Sequence, residues 1–184
     1  MKREVRISGL GGQGILLAGY VLGKAACLFD KKNAVQTESY GPEARGSRAR
    51  SDIIISDEEI DYPYVSKPDV LIALSQDAYN YYKNEVKKGG IIIVDEDLVD
   101  LIDMPKQVKV YKVPATRIAS SLGKRIVANI VMLGAFSALT GIVSFEALKK
   151  SVLDSVPKGT EELNLKALEE GWNYGKRLLQ GDVI

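Results

Sequence analysis

The 184 residues include no histidine, one cysteine and one tryptophan. Without His there is no His-based catalytic triad, no imidazole acid–base step and no His metal ligand. One Cys can neither close an intrachain disulfide nor hold an iron–sulfur cluster or a structural zinc. Cys27 lies in an apolar helical stretch, where a small buried hydrophobe is expected. Neither sign of charge dominates: 25 Lys and Arg stand against 24 Asp and Glu, a net charge of +1. A dedicated nucleic-acid binder usually carries a strong basic excess, so no nucleic-acid partner is expected. Long apolar runs are missing too. The longest, 126–139, is about 14 residues and contains Asn129, too short for a membrane span. The opening MKREVRIS lacks the apolar run of a signal peptide. A cytoplasmic chain with no membrane span is the expectation.

What is present is ordinary for a globular protein: 46% hydrophobic and 27% charged residues. The length suits one domain, able to fold without a disulfide or metal. Residues 4–8 alternate Val5 and Ile7 with charges, which predicts a strand with one wetter face. Residues 15–29 carry helical spacing through Leu16, Leu17, Tyr20, Val21 and Leu28. Short strands are expected at 34–38 and 48–56. The apolar runs 69–74 and 90–95 suit strands buried on both faces of a sheet. Between them, 76–88 reads as a helix, and 108–113 as a further strand. Helices follow over 115–140, broken at Gly123, then 144–156 and 161–180. Pro157 and Gly159 separate the last two. This order predicts an α/β fold: a three-layer αβα domain with a mixed, mostly parallel sheet and a helical C-terminal part. Residues 169–184 are a candidate peripheral tail.

Gly9-Leu10-Gly11-Gly12-Gln13-Gly14 matches G-x-G-x-x-G after a strand and before a helix, with Glu38 near the end of the second strand. That is the setting of a dinucleotide fingerprint. Glycines let a phosphate approach the backbone, and the helix N-terminus favours negative charge. However, the start is Rossmann-like only as far as the second strand. Residues 39–52 contain Gly41, Pro42 and Gly46, lack helical spacing and run straight into another strand. So short a connection implies antiparallel pairing, because a parallel neighbour needs a crossover of a dozen or more residues. Three uses of the glycine loop stay open: NAD(P) binding, a phosphate or partner contact, and a structural tight turn.

The segment Ser39-Tyr40-Gly41-Pro42-Glu43-Ala44-Arg45-Gly46-Ser47-Arg48-Ala49-Arg50 is the most unusual. It brings three guanidinium groups together, and Arg48 and Arg50 share one strand face. Guanidinium forks suit phosphates and carboxylates. The alternative is a solvated edge strand whose arginines pair with Glu38, Glu43 and Asp52. Loops that follow strand ends gather at one rim of an α/β sheet, so this loop and the glycine loop are expected to share a surface.

GLGGQGILLAG followed by AVQTESYGPEARGSRARSDIIIS strongly resembles the gamma subunit of 2-oxoacid:ferredoxin oxidoreductases. The KPDVLIAL, GGIIIVD and RIVANIVMLGA segments are similar as well, and the likeness runs over residues 5–168. The pattern is nearest the 2-oxoglutarate type, with pyruvate and branched-chain enzymes related. The resemblance implies one gamma-type domain over 1–184. It implies a complex that converts a 2-oxoacid and CoA to acyl-CoA and CO2 and passes two electrons to ferredoxin. Thiamine diphosphate, Mg2+ and iron–sulfur clusters would reside in the alpha, beta and, where present, delta partner subunits. This chain would carry no catalytic residue or cofactor, and would support assembly and the CoA site. In single-chain members the matching domain lies beside the active site and helps cover bound CoA. Carried over, the candidate CoA- or partner-binding residues are Gly9, Gly11, Gly12, Gln13, Gly14, Tyr40, Gly41, Pro42, Glu43, Arg45, Gly46 and Arg48. Arg45 takes the position expected of a basic residue near CoA phosphate. The sequence departs from the common pattern at Ser47, where a second Gly is frequent. The rival readings are a free-standing NAD(P)-dependent oxidoreductase and a pure scaffold subunit.

Other features bear on partners. Residues 126–139 are apolar nearly all round, as in a core helix or one facing a subunit. Tyr79, Tyr81 and Tyr82 cannot all face inward from one helix. Tyr is common at interfaces, and the Tyr62-Pro63-Tyr64 block is open to either use.

Overall fold

The computed structural model describes residues 1–40 and 47–183. The β-branched runs become strands: β1 (Lys2–Leu10), β2 (Asn33–Tyr40), β3 (Arg48–Ser56), β4 (Val70–Ala73), β5 (Ile91–Asp95) and β6 (Lys109–Val113). They form a six-stranded sheet in the order β2-β3-β1-β4-β5-β6. β3 pairs antiparallel with β1 and with β2, while β1, β4, β5 and β6 pair parallel in turn. Five strands therefore run one way and β3 runs against them. The expected mixed, mostly parallel sheet is found, broken by one antiparallel strand. The solvated-edge reading of the arginine-bearing stretch is corrected in its placement: β3 is interior, with Ile53, Ile54 and Ile55 fully buried, and β2 forms the edge, although Arg50 does pair with Asp52.

Alternation along the strands divides the core into two layers. Val70 and Ile72 of β4 face one apolar cluster, and Leu71 and Ala73 face the other. The first layer is covered by α1 (Ile15–Lys24), α4 (Ala128–Thr140), α5 (Phe145–Ser155) and α6 (Glu161–Gln180). The second is covered by α2 (Gln76–Tyr82), a single 3-10 turn (Lys83–Glu85) and the apolar side chains Val99 and Leu101. The helix expected over 76–88 thus ends early. α3 (Ala115–Ser121) and α4 are separate helices, interrupted at Gly123, whose φ is +107°.

α4 is buried on nearly all sides, so the apolar run 126–139 contributes a core helix. α6 lies along it through small residues. A Cβ at Gly134 would run into the Leu168 carbonyl, and one at Gly171 into the Val131 carbonyl. Gly171 and Gly175 are buried, whereas Leu179 is 54% exposed. Residues 169–184 therefore begin inside a packed helix.

Three expectations about the first βα unit are corrected, the first only in part. The expected stripe holds only in part: Val21 is fully buried and Leu17 packs against the core, but Tyr20 and Leu28 are about half exposed, and the rest of the inward face is Ile15, Ala18, Gly19, Leu22, Ala25 and Ala26. Small residues let α1 sit so close to β3 that a Cβ on Gly19 would clash with the Ser51 hydroxyl. A π-helical turn over Ala25–Phe29 then shifts the register and carries Cys27 to the surface, where it is an exposed free thiol. The wetter face expected of β1 is also corrected. Arg6 is 1% exposed, and its charge is met inside the protein by Asp52 on the neighbouring strand.

Candidate functional site

The register of β1 and β3 decides where the two unusual loops lie. Leu10 faces Arg48, and Tyr40 faces Ala49. The end of β1, the end of β2 and the start of β3 therefore share one rim. Gly11 N–H donates to the Ser47 carbonyl at 3.0 Å, joining the glycine loop to the strand that follows the second loop. The expected common surface is present. Gly41, Pro42, Glu43, Arg45 and Gly46 lie outside the described residues.

Within the glycine loop, backbone shape and one side chain set the geometry. Gly12 and Gly14 have φ of +91° and +72°, a region that favours glycine. Gly14 begins α1, its carbonyl accepting from Ala18 N–H at 3.0 Å and from Asn129 Nδ2 of α4 at 3.0 Å. Gly9 leaves room for Gln13: a Cβ there would overlap the Gln13 amide oxygen. Gln13 accepts from Leu10 N–H at 2.6 Å and donates to the Leu74 carbonyl at 2.8 Å. It thereby bridges the ends of β1 and β4, whose connections leave for opposite faces of the sheet. Ligands of open α/β sheets bind in such a crevice.

Open clefts flank this loop. The larger, about 490 Å³, is bounded by Gly12, Tyr40, Lys124, Asn129, Leu163 and Asn164 among others. The smaller, about 380 Å³, lies over the crevice between Gln13, Leu74, Thr116 and Arg125. Leu10, Gly11, Gly12 and Ile126 border both. Tyr40 is 65% exposed at the mouth of the larger cleft. Thr116 Oγ1 donates to buried Asp95 at 2.6 Å, and burial holds the Asp95 pKa above its usual range despite that bond.

Arg48 sits differently from the glycines. Its guanidinium pairs with Asp77 at 2.9 Å and stacks 3.6 Å from the centre of the Tyr81 ring. Burial acts to lower its pKa, but Asp77 and Tyr82 outweigh that and leave it raised. Arg50 shares this face, as its spacing requires, and pairs with Asp52 at 3.3 Å. Of the tyrosine group, Tyr79 and Tyr82 are buried and Tyr81 is exposed.

Lys124, Arg125, Thr116, Thr160 just before α6 and Asn164 within it reach these clefts without having been singled out from sequence. A basic pair directly after Gly123 and before an apolar helix was the available signal. The dinucleotide reading meets an obstacle in the strand order. β3 separates β1 from β2, placing Glu38 two strand spacings, about 9–10 Å, from β1. A dinucleotide fold has the second strand beside the first.

Comparison with known proteins agrees with this geometry. The model of the family described as pyruvate ferredoxin/flavodoxin oxidoreductase matches residues 4–174. The 2-oxoglutarate synthase subunit KorC of Methanocaldococcus jannaschii is 59% identical over 97% of this chain and 96% of its own. The crystal structure of a keto/oxoacid ferredoxin oxidoreductase gamma subunit from Geobacter sulfurreducens superposes with a TM-score of 0.84. It is 44% identical and covers 94% of this chain and 98% of that one. A 2-oxoglutarate:ferredoxin oxidoreductase from Magnetococcus marinus, solved with 2-oxoglutarate, coenzyme A and succinyl-CoA bound, shares the fold. Its TM-score is 0.84 at 24% identity, over 95% of this chain and 31% of that one. With a match over 4–174 and relatives that coincide nearly end to end, the chain belongs to the pyruvate ferredoxin/flavodoxin oxidoreductase family.

Proposed function

We propose that this chain is the gamma subunit of a cytoplasmic 2-oxoacid:ferredoxin oxidoreductase whose oxoacid is 2-oxoglutarate. The observation that carries this is 59% identity to a 2-oxoglutarate synthase subunit across nearly the whole of both chains. In that reaction the bond between the two carbonyl carbons breaks and CO2 leaves. The acyl group is joined to the sulfur of CoA, the thiol proton is released, and two electrons pass to ferredoxin.

Thiamine diphosphate, Mg2+ and iron–sulfur clusters are assigned to the alpha, beta and delta partners. One Cys cannot hold an iron–sulfur cluster in this chain. Among the described residues no three His, Cys, Asp or Glu side chains gather to hold a metal. No helix among them is long and apolar enough to cross a membrane. The role of this chain is to complete the assembly and to wall the CoA site with the glycine loop, Tyr40 and the 41–46 segment. Arg45 is the residue of that segment assigned to CoA phosphate. Arg48, tied to Asp77 and Tyr81, fixes the strand on which the segment ends.

Anaerobic affinity purification of the tagged chain from its host tests the proposal. Co-purifying larger subunits, iron–sulfur absorbance and CoA-dependent oxidation of 2-oxoglutarate are the expected result. A colourless chain without partners would overturn it. Arg45→Ala should raise the KM for CoA; loss of assembly with unchanged CoA kinetics would mark a scaffold instead.

A further inference from the structure

We infer that the free edge of β2 is the interface for a second copy of this chain, the two β2 strands pairing antiparallel about a two-fold axis at Val35. The two sheets then run on as one. This interface does not depend on the CoA reading.

The two edges of the sheet are built differently. Exposed edges are usually blunted by lysine, proline or a bulge, because unpaired backbone groups recruit another strand. β6 follows that rule, with Lys109 and Lys112 among its five residues. β2 does not: its eight residues include no Lys, Arg or Pro, and its one charge is Glu38. Along it runs a groove of about 240 Å³ between Tyr20, Cys27 and Leu28 on one side and Ala34 and Gln36 on the other. Tyr20 and Leu28 are half-exposed there. An unblunted ladder beside exposed apolar side chains suits a strand that is covered.

Register and charge select what covers it. Asp57 N–H donates to the Met1 carbonyl at 3.0 Å. The odd-numbered residues of β3 therefore turn their backbone groups toward β1, and the even-numbered ones toward β2. Val35 faces Ile54 and Thr37 faces Asp52, so the odd residues of β2 are taken up by β3. Ala34, Gln36, Glu38 and Tyr40 turn their backbone groups outward, where no described strand pairs with them. Two such strands related by a two-fold axis must match outward residue with outward residue, so the axis passes through a residue. An axis at Ala34 would set Glu38 against Asp30 of the second copy. Axes at Gln36 and Thr37 would set it against Ala34 and Gln36, and one at Glu38 against itself. An axis at Val35 sets Glu38 opposite Lys32, and symmetry makes that contact twice. Both partners can take part. Glu38 is exposed and pairs with no described cation. Asp57 holds the N-terminal ammonium at 3.1 Å as well as Lys32 at 3.2 Å, so Lys32 is not required to neutralise it.

Sedimentation velocity of the full chain over a concentration series tests the interface. Wild type should pass to twice the chain mass of 20.1 kDa. Glu38→Lys sets lysine against lysine at both ends and should raise the dimer Kd about tenfold or more. Lys32→Glu sets glutamate against glutamate and should do the same. Mixed together, the two variants should associate with wild-type affinity, because every contact again joins opposite charges. Cys27, the one thiol of the chain, should react with a maleimide more slowly in the dimer than in the monomer. Lys109→Ala, at the other edge, should leave the Kd unchanged. Circular dichroism checks that each variant is folded; should Lys32→Glu unfold, Glu38→Lys decides alone. A wild-type chain still monomeric at about 100 μM would overturn the inference, and Cys27 protection only in the assembled complex would then assign the edge to another subunit. Glu38→Lys dimerising as tightly as wild type would overturn it too, as would a mixture no tighter than either variant alone.

Discussion

Replacing Arg6 by Met should destabilise the protein more than any other single change of a charged residue. Arg6 donates to Asp52 through Nε at 2.9 Å and Nη2 at 3.2 Å, and Nη2 also reaches the Val65 carbonyl at 2.8 Å. It pairs in addition with Glu85, and lies 4.7 Å from the centre of the Tyr82 ring. Burial acts to lower the guanidinium pKa, yet Asp52, then Glu85 and Tyr82, hold it above its ordinary value. In Arg6→Met, Asp52, 3% exposed in the wild-type fold, keeps Arg50 at 3.3 Å as its one charge partner among the described residues. Stranding a buried charge in this way costs about 3–5 kcal/mol. Domains hold only about 5–15 kcal/mol in total, and at this size each kcal/mol moves Tm by about 2–4 °C. The expected loss is therefore about 6–20 °C. Urea unfolding followed by circular dichroism should show a lower midpoint with an unchanged slope. Arg6→Met/Asp52→Leu should recover to within about 2 kcal/mol of wild type, because it removes both charges from the interior. Glu85 is 42% exposed on its side chain, so Glu85→Gln should cost no more than about 1 kcal/mol. A loss below about 1 kcal/mol in Arg6→Met, or a double variant no better than the single, would refute the account of a buried pair held by mutual neutralisation.

Other consequences can be checked on the same preparation. Gly171→Ala should destabilise by about 2–3 kcal/mol through overpacking against α4, although Ala favours an isolated helix by about 1 kcal/mol; a Tm at or above wild type would contradict the tight crossing. Gln13→Met removes both bonds across the β1–β4 crevice, so the Leu10 amide should exchange with solvent about tenfold faster, as a local loss of about 1.4 kcal/mol implies; unchanged exchange would show that the bridge does not hold the loop. Burial raises the Asp95 pKa, so the native state binds its proton more tightly than the unfolded chain. Wild type should then gain stability from Asp95 as pH falls through that raised value, with the gain complete below the ordinary carboxylate range. Asp95→Asn, lacking this proton site, should lose ground to wild type as urea midpoints are compared from pH 7 down to pH 4, and a constant difference would contradict it.

The strands and the shared rim were legible because their signals are local. The run Arg48–Ser56 became a strand with the expected bounds. The short connection before it forced the antiparallel pairing that brings Tyr40 and Gly11 to one edge. Less legible was anything decided by how closely two elements approach. The inward face of α1 and the π-turn after it mixes Ile15, Val21 and Leu22 with Ala18, Gly19, Ala25 and Ala26, whose small size allows the close approach to β3, while Tyr20 and Leu28 face outward. A hydrophobicity pattern weights bulk, so it finds Val21 but passes over the small residues that set the approach. Arg6 looked like a mark of exposure because its partner Asp52 lies on another strand, and pairing register is not written in either segment alone. Lys124 and Arg125 look like any solvated pair until α4 carries them to the glycine loop.

The larger cleft also sets a timetable for synthesis. Its walls include Gly12 and Tyr40 from the start of the chain, and Leu163 and Asn164 from α6. Chains emerge N-terminus first at about 5–20 residues per second. The glycine loop is thus made before the segment that closes its far wall, which follows about 8–30 s later at that rate. The rim reaches its final shape only after α6 has left the ribosome and docked along α4. Subunits that recognise the closed cleft must wait for α6, and a chain cut short before residue 164 keeps its first loop in sequence but lacks the cleft's far wall.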